Sequence, residues 1–395
     1  MISHKTRTRM LWTMFLLIFL PRLPLVGVSG STSPIRIDHL GLIPVLFLGI
    51  PILFRKSRSL LPRQGVLALI IWAGFHLIVG NWNASSILAM AFYFALFLNF
   101  VIGKDLVENG ALSLPLLCKF LFVLGFLNAC LHLISLAFGW HISASYQTDM
   151  QVLTYGVYGK YGAFGQPYSF CAFLILAFNC GLVWAPSRLL FLSSPFYLLA
   201  VITSDSRIGA LCFFLALLPM VHLLQGKRRF LLIVLIVLTV VGAILIGGKV
   251  GSLTQGDVEI SSDPSAAVRI ENAIAYYNRL NFLTFFFGFG ILGFLSFVVQ
   301  YGEPGTFDNL YLRIASEFGV ALLVYFLILL ILFLKKIYYH PLNAVFCKMI
   351  FIVICSTLLI SFLNETVISS KFGYAFWFLI GAGAAVVSAS RKAMV

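Results

Sequence analysis

The chain has 395 residues, 61% of them hydrophobic and only 10% charged, with a mean hydropathy of +1.02. A soluble fold of this length needs more polar surface than that, and apolar runs of about 18 or more residues recur from end to end, each enough to cross roughly 30 Å of hydrocarbon. The net charge of +14 raises nucleic acid as a partner, until the charges are mapped onto those runs.

Twelve spans are predicted, at roughly 10–29, 37–54, 65–80, 84–102, 114–139, 167–184, 189–203, 207–224, 230–248, 309–334, 346–363 and 373–390. The expected fold class is all-α and polytopic, a single integral membrane domain over 1–395 with about 12 transmembrane helices. The first run ends on Val28-Ser29-Gly30, the small-residue pattern of a secretory leader, but eleven further spans make a retained helix the simpler expectation. With Lys5, Arg7 and Arg9 in the cytoplasm, alternate loops are cytoplasmic too, and 18 of the 27 basic residues fall there. Of the 13 acids only Asp105 and Glu108 join them. That bias is the positive-inside rule; it predicts both termini in the cytoplasm and leaves no excess charge for nucleic acid to explain. All seven cysteines fall within spans and read as core packing, not as disulfides or metal ligands.

Polar residues collect on the opposite, outer face, in the segments 140–166 and 249–308. Loops of that length usually carry function. The second opens on "GSLTQGDVEISSDPS" and then turns periodic: Ala266, Ile270, Ala273, Ile274 and Tyr277 share one helical face, while Arg269, Glu271, Asn272 and Arg279 fall mostly elsewhere. With Asp263-Pro264 as its start, an amphipathic helix is predicted at 264–282, near the outer interface. The run 281–300 is long enough to span, yet counting it would put Lys335 and Lys336 outside. Its Gly288, Gly290 and Gly293 also weaken a regular helix, so a re-entrant, cavity-lining segment is expected.

Even-numbered spans start at the outer face, where a helix N-terminus offers unsatisfied N–H groups and a partial positive charge that suit an anion. Gln166-Pro167 opens the sixth span. In "TSDSRIGA", Ser204, Asp205 or Ser206 caps the eighth, with Arg207 next inside. Asp308-Asn309 caps the tenth, followed by Arg313 and Glu317 at i,i+4. Together with Arg269 and Arg279, such ends would suit a phosphate or pyrophosphate, which a guanidinium grips with a planar fork. Plainer readings stand beside these. Arg207 can snorkel to the interface, and Arg313–Glu317 can be a structural pair. Asp257-Val258-Glu259 reads as a solvated loop rather than a metal site, and His132 and His222 as packed within helices. His39 and His141 are candidate bases on the outer side. Outer tyrosines, Tyr161 and Tyr277 among them, exceed what an aromatic belt needs and offer faces for sugar rings.

These pieces resemble the O-antigen polymerase (Wzy) and O-antigen ligase superfamily of bacterial glycosyltransferases. The likeness rests on "SDSRIGA" and "GQPYSF" at span starts, on "VRIENAIAYY" leading to "FFGFG" in the late outer loop, and on "DNLYLRIASEFGV" opening the next span. It implies a GT-C type fold in the bacterial inner membrane, working at the periplasmic face on undecaprenyl-pyrophosphate-linked glycans, with no nucleotide sugar, cofactor or metal. A polymerase passes the growing chain to the next lipid-linked repeat unit; a ligase passes it to lipid A-core. By the resemblance Arg207 and Arg269 hold the pyrophosphate, and Asp308 with Asn309 falls at the catalytic loop-to-helix junction; an acceptor hydroxyl needs a base, for which Asp308 comes first, ahead of His141. Asn309, Arg279, Arg313, Tyr277, Tyr161 and Gln166 would contact substrate. Many ligases carry a His-Asn pair where this chain has Asp308-Asn309, which favours the polymerase. The different-class alternative, a glycan or lipid flippase, would place ionisable groups near the midplane of several spans rather than at the outer rim. A polysaccharide chain-length regulator would be a further partner.

Overall fold

The computed structural model describes residues 4–20, 24–26, 35–36, 40–54, 84–147, 152–237, 271–290, 309–340, 344–362 and 370–393, positions 205, 235 and 272 excepted. In chain order the helices are α1 (His4–Phe19), α2 (Leu42–Phe54), α3 (Ala84–Glu108), α4 (Leu114–Phe138), α5 (Pro167–Trp184), α6 (Ser187–Ile202), α7 (Arg207–Leu223) and α8 (226–234). They continue with α9 (273–278), α10 (Phe282–Phe287), α11 (Leu310–Phe318), α12 (Val320–Tyr338), α13 (Ala344–Ile360) and α14 (Ser370–Ala393). Two antiparallel hairpins, β1 (Pro24–Val26) with β2 (Ile35–Arg36) and β3 (Ile142–Gln147) with β4 (Val152–Tyr158), and a short β5 (Lys160–Ala163) complete the described elements.

Five described helices, α3, α4, α5, α12 and α14, are long and apolar enough to cross a membrane, and α2, α6, α7 and α13 are shorter apolar helices. Each falls on a predicted span, and several long apolar helices in one chain are the mark of a helical membrane protein. The third predicted span (65–80) and the end of the ninth (238–248) lie outside the described residues. All seven cysteines are free thiols, five of them buried.

The centre of the bundle is α5, buried without interruption from Ser169 to Leu182 because it is apolar on every face. It packs among α4, α6, α7, α13 and α14. Without a hydrophobic drive between helices in lipid, close approach does the work, and small residues permit it. Gly181 faces the Phe122 ring and Gly125 the Ala177 methyl across α4–α5. Between α3 and α14 the backbones nearly touch: a Cβ on Gly381 would sit 2.1 Å from the Phe100 carbonyl oxygen. At the other end of α5, Arg228 donates to the terminal carbonyls of Leu182 (2.9 Å), Val183 (2.5 Å) and Ala185 (2.8 Å), a cationic cap on carbonyls that have no intrahelical partner.

Two departures from the predicted layout shape the outer end. The predicted span 309–334 is not one helix: it breaks at Gly319 (φ 94, ψ 153) into α11 and α12. A break frees carbonyls that lipid cannot satisfy. Here the preceding segment supplies the donor: Phe289 N–H bonds to the freed Ser316 C=O (2.7 Å), while Tyr276 O–H adds a second bond (3.1 Å) to Ala315 C=O, which keeps its helical partner Gly319 N–H (2.9 Å). The crossing is backbone on backbone, since a Cβ on Gly288 would lie 2.6 Å from the Glu317 carbonyl and one on Gly319 2.2 Å from that of Phe286. Of the predicted amphipathic helix 264–282, residues 273–278 are described and helical, with Tyr276 buried and Ile274 and Tyr277 exposed. Of the predicted re-entrant segment, α10 carries a capping box between Asn281 and Thr284 and stops at Gly288 (φ 73); 291–300 lie outside the described residues.

The second departure is in 140–166. Beyond the β3–β4 hairpin the chain turns at Gly159 and runs down into the bundle beside α4. Two polar residues of α4 meet it in turn: His132 Nδ1 meets Lys160 C=O, and Asn128 Oδ1 accepts from Ala163 N–H at 2.9 Å. Ser135, on the same polar stripe, closes the end of α4 itself, its Oγ donating to Trp140 C=O. Asn128 lies about 15 Å inside the end of α4, at 1.5 Å per residue. Non-helical backbone survives at that depth only where protein satisfies its polar groups.

Candidate functional site

The starts of α5, α7, α11 and α14 lie at one end of the bundle, the predicted outer end, and the sequence-derived site residues there form two groups. The first surrounds the start of α5. Gln166 is the N-cap and Pro167 the first helical residue, with no side-chain capping bond from Gln166. Ser206 caps α7, its hydroxyl accepting from Gly209 N–H at 3.1 Å, so Ser206 takes the capping role open to three residues in the sequence. Arg207 is therefore the first helical residue of α7; its side chain, and Asp205, lie outside the described residues. The two starts are locked side by side, with Cys171 Sγ 3.0 Å from Ser204 Oγ and Gly209 facing Cys171. Tyr161 stacks on His132 (centroids 6.3 Å apart, 14° between planes), and Lys160 Nζ stands 5.3 Å above the Tyr161 ring.

His132 is more than a packed histidine. Its Nδ1 faces a carbonyl and must carry the proton of that bond, and its Nε2 is 2.9 Å from Thr203 Oγ1 at the end of α6. The ring thus ties β5 to the Thr203–Arg207 turn. Lys371, one residue into α14 and fully buried, donates Nζ to Ala163 C=O, the carbonyl of the residue whose N–H Asn128 holds.

The second group is on α11. Asn309 is the N-cap: Oδ1 accepts from Tyr311 N–H (2.9 Å) and Leu312 N–H (3.1 Å), and Nδ2 donates to Phe362 C=O (3.0 Å). Leu310 N–H to Ser361 C=O (3.1 Å) and Tyr311 O–H to Leu358 C=O (3.0 Å) fasten the same turn to the end of α13. Arg313 Nε donates to Glu317 Oε1 at 3.0 Å, and the other carboxylate oxygen accepts from Tyr93 O–H of α3 at 2.6 Å. The Glu317 side chain is 3% exposed and that of Arg313 18%, so the acid is sunk and the guanidinium reaches toward water. Tyr277 (73% exposed) and half-buried Arg279 stand at the end of α9, which docks on α11 through Tyr276. Burial raises the Tyr276 phenol to about 12, and that of Tyr158 is raised for the same reason. Asp308 and Arg269 lie outside the described residues.

The two groups are neighbours along α14. Lys371 reaches the first, while Tyr374, one turn further on the same side, packs on Phe92 (5.7 Å) beside Tyr93 of the second. The structure thus brings Tyr161, Gln166 and the Arg207 turn together, and places Asn309 and Arg313 on α11, onto which α9, bearing Tyr277 and followed by Arg279, docks through Tyr276. Sequence reasoning missed five participants. Asn128, His132 and Ser135 had a readable signal, i, i+4, i+7 spacing of polar residues in an apolar span, and Lys371 is an ionisable residue at a span start. Tyr93 had none, because its partner is 224 residues away. Among the described residues, no three or more His, Cys, Asp or Glu side chains converge as a metal site.

No model of a known protein family matches this chain, and no curated protein matches it.

Proposed function

We propose that this protein is an O-antigen polymerase of the bacterial inner membrane, a glycosyltransferase that joins undecaprenyl-pyrophosphate-linked repeat units at the periplasmic face. The observation that carries the reading is the pairing of two helix starts, at Pro167 and at Arg207, locked through Cys171 and Ser204. Two N-termini with adjoining cations favour an anion, and the leaving group of this reaction is a pyrophosphate. The resemblance of "SDSRIGA", "GQPYSF" and "DNLYLRIASEFGV" to the polymerase and ligase superfamily points the same way.

In the proposed reaction a hydroxyl oxygen of the acceptor sugar bonds to the anomeric carbon of the donor. The carbon–oxygen bond to pyrophosphate breaks, and its electron pair leaves on the lipid pyrophosphate. Arg207 and Arg269 stabilise that charge, and Asp308 takes the hydroxyl proton. Direct displacement inverts the anomeric centre. Asn309 acts by fixing the loop-to-helix junction next to Asp308, as its capping bonds dictate. Arg279, Arg313 and Gln166 line the charged side, and Tyr161 and Tyr277 offer stacking faces for sugars.

The lipopolysaccharide ladder of a deletion strain tests the reading. A polymerase leaves single-repeat lipopolysaccharide, a ligase leaves none with O-antigen, and a flippase leaves repeat units on the cytoplasmic side. Arg207→Ala with protein level preserved should abolish the ladder; polymer of normal length would sink the assignment.

A further inference from the structure

The part of the bundle farthest from the site poses a separate question. Helix α12 is the most apolar of the five long helices, with a mean hydropathy of 2.6, yet only 6% of its span is buried. At its far end, the predicted inner side, it meets α13 over a shallow groove of about 400 Å³ lined by Ile331, Leu334, Lys335, Tyr338, Tyr339 and Phe351. The groove changes character along its length. Ile331, Leu334 and Phe351 give it an apolar floor, and Lys335 and two tyrosines give it a polar mouth. Lys336 follows on α12, exposed like Lys335, and Lys348 lies one turn from Phe351 on α13.

The charge around this mouth is one-sided. From Phe318 to Asn364 the sequence holds no Asp or Glu, while Lys335, Lys336 and Lys348 all fall there. Lys335 at the mouth, with Lys336 and Lys348 at the same end of the two helices, above an apolar trough, matches an amphiphile with a negative head and hydrocarbon chains. Basic clefts between helices at the cytoplasmic surface bind such headgroups. Tyrosines at the same level suit the headgroup layer.

We propose that the α12–α13 groove is a binding site for an anionic phospholipid of the inner leaflet, its phosphate held by Lys335, Lys336 and Lys348 and one acyl chain laid over Ile331, Leu334 and Phe351. The site is independent of the glycosyl-transfer reading and stands whether or not that reading does.

The test is competitive lipid retention. The detergent-purified full chain is delipidated, offered equal amounts of phosphatidylglycerol and phosphatidylcholine with matched acyl chains, and its adducts are weighed by native mass spectrometry. The glycerol lipid should be retained several-fold over the choline lipid, and Lys335→Gln/Lys336→Gln/Lys348→Gln should bring the ratio to about one. Free inorganic phosphate should leave the preference intact, which separates a lipid site from a simple anion site. Equal retention by the native chain, or an undiminished preference in the triple variant, overturns the proposal. A Leu334→Trp reporter with the lysines intact decides the matter if the triple variant does not fold. Brominated-chain phosphatidylglycerol should quench it more than brominated phosphatidylcholine, and equal quenching refutes the site.

Discussion

Replacing Glu317 by Gln removes one charge from the second group while keeping the side-chain shape. Two bonds depend on that charge, Arg313 Nε at 3.0 Å and Tyr93 O–H at 2.6 Å. At an effective dielectric constant of about 20, a pair at this separation attracts by about 5–6 kcal/mol before desolvation is counted. Removing one partner of a buried pair costs about 3–5 kcal/mol, and the 18% exposure of Arg313 argues for the lower end. We expect a loss of about 3 kcal/mol, a fall in Tm on the order of 5 °C for a chain of this size. The buried thiols report it: Cys118, Cys171, Cys180, Cys212 and Cys347 react with a thiol-sensitive fluorophore only on unfolding. A cycle with Arg313→Met isolates the pair, and the double variant should lose less than the sum of the singles by about 1–3 kcal/mol. A coupling below about 0.5 kcal/mol would show that water screens the pair, and the reasoning from burial would fail.

Gly319→Ala should lower stability by about 3 kcal/mol, from overpacking against Phe286 and from its positive φ. Gly110→Ala is the control in the same thiol assay: φ is 67 there with open space around it, and about 1 kcal/mol is expected. Tyr276→Phe should cost about 1 kcal/mol and remove a pH dependence. The phenol is raised by burial from 10.0 to about 12, so its contribution is complete below pH 10 and lost as pH rises through 12. Limited proteolysis of the α9–α10 segment should therefore accelerate between pH 10 and 12 in the native chain, but not with that dependence in the variant. Arg228→Gln, which strips three carbonyls of their donor, should cost about 2–3 kcal/mol, whereas exposed Arg229→Gln should stay within about 0.5.

What could be read in the sequence follows from the range of the forces involved. Helix α5 was legible because burial on all sides needs only a run of apolar residues, and the start of α7 because a cap acts over three positions. The break at Gly319 was not, since "EFGVALL" becomes a break only when Gly288 crosses it and Phe289 N–H takes up the freed Ser316 carbonyl. Likewise "YGKYGAFG" reads as loop, and only the polar stripe of α4 turns it into a strand sunk beside the helix. In both places the local sequence leaves backbone groups unsatisfied and a distant segment completes them. In lipid such groups have no water to fall back on, so these junctions can persist only as pairs. That requirement puts Tyr93, Asn128, His132 and Lys371 under constraint together with the predicted arginines. A substitution at any of the four should disturb the turn that bears Arg207 or the helix that bears Arg313 without touching either arginine.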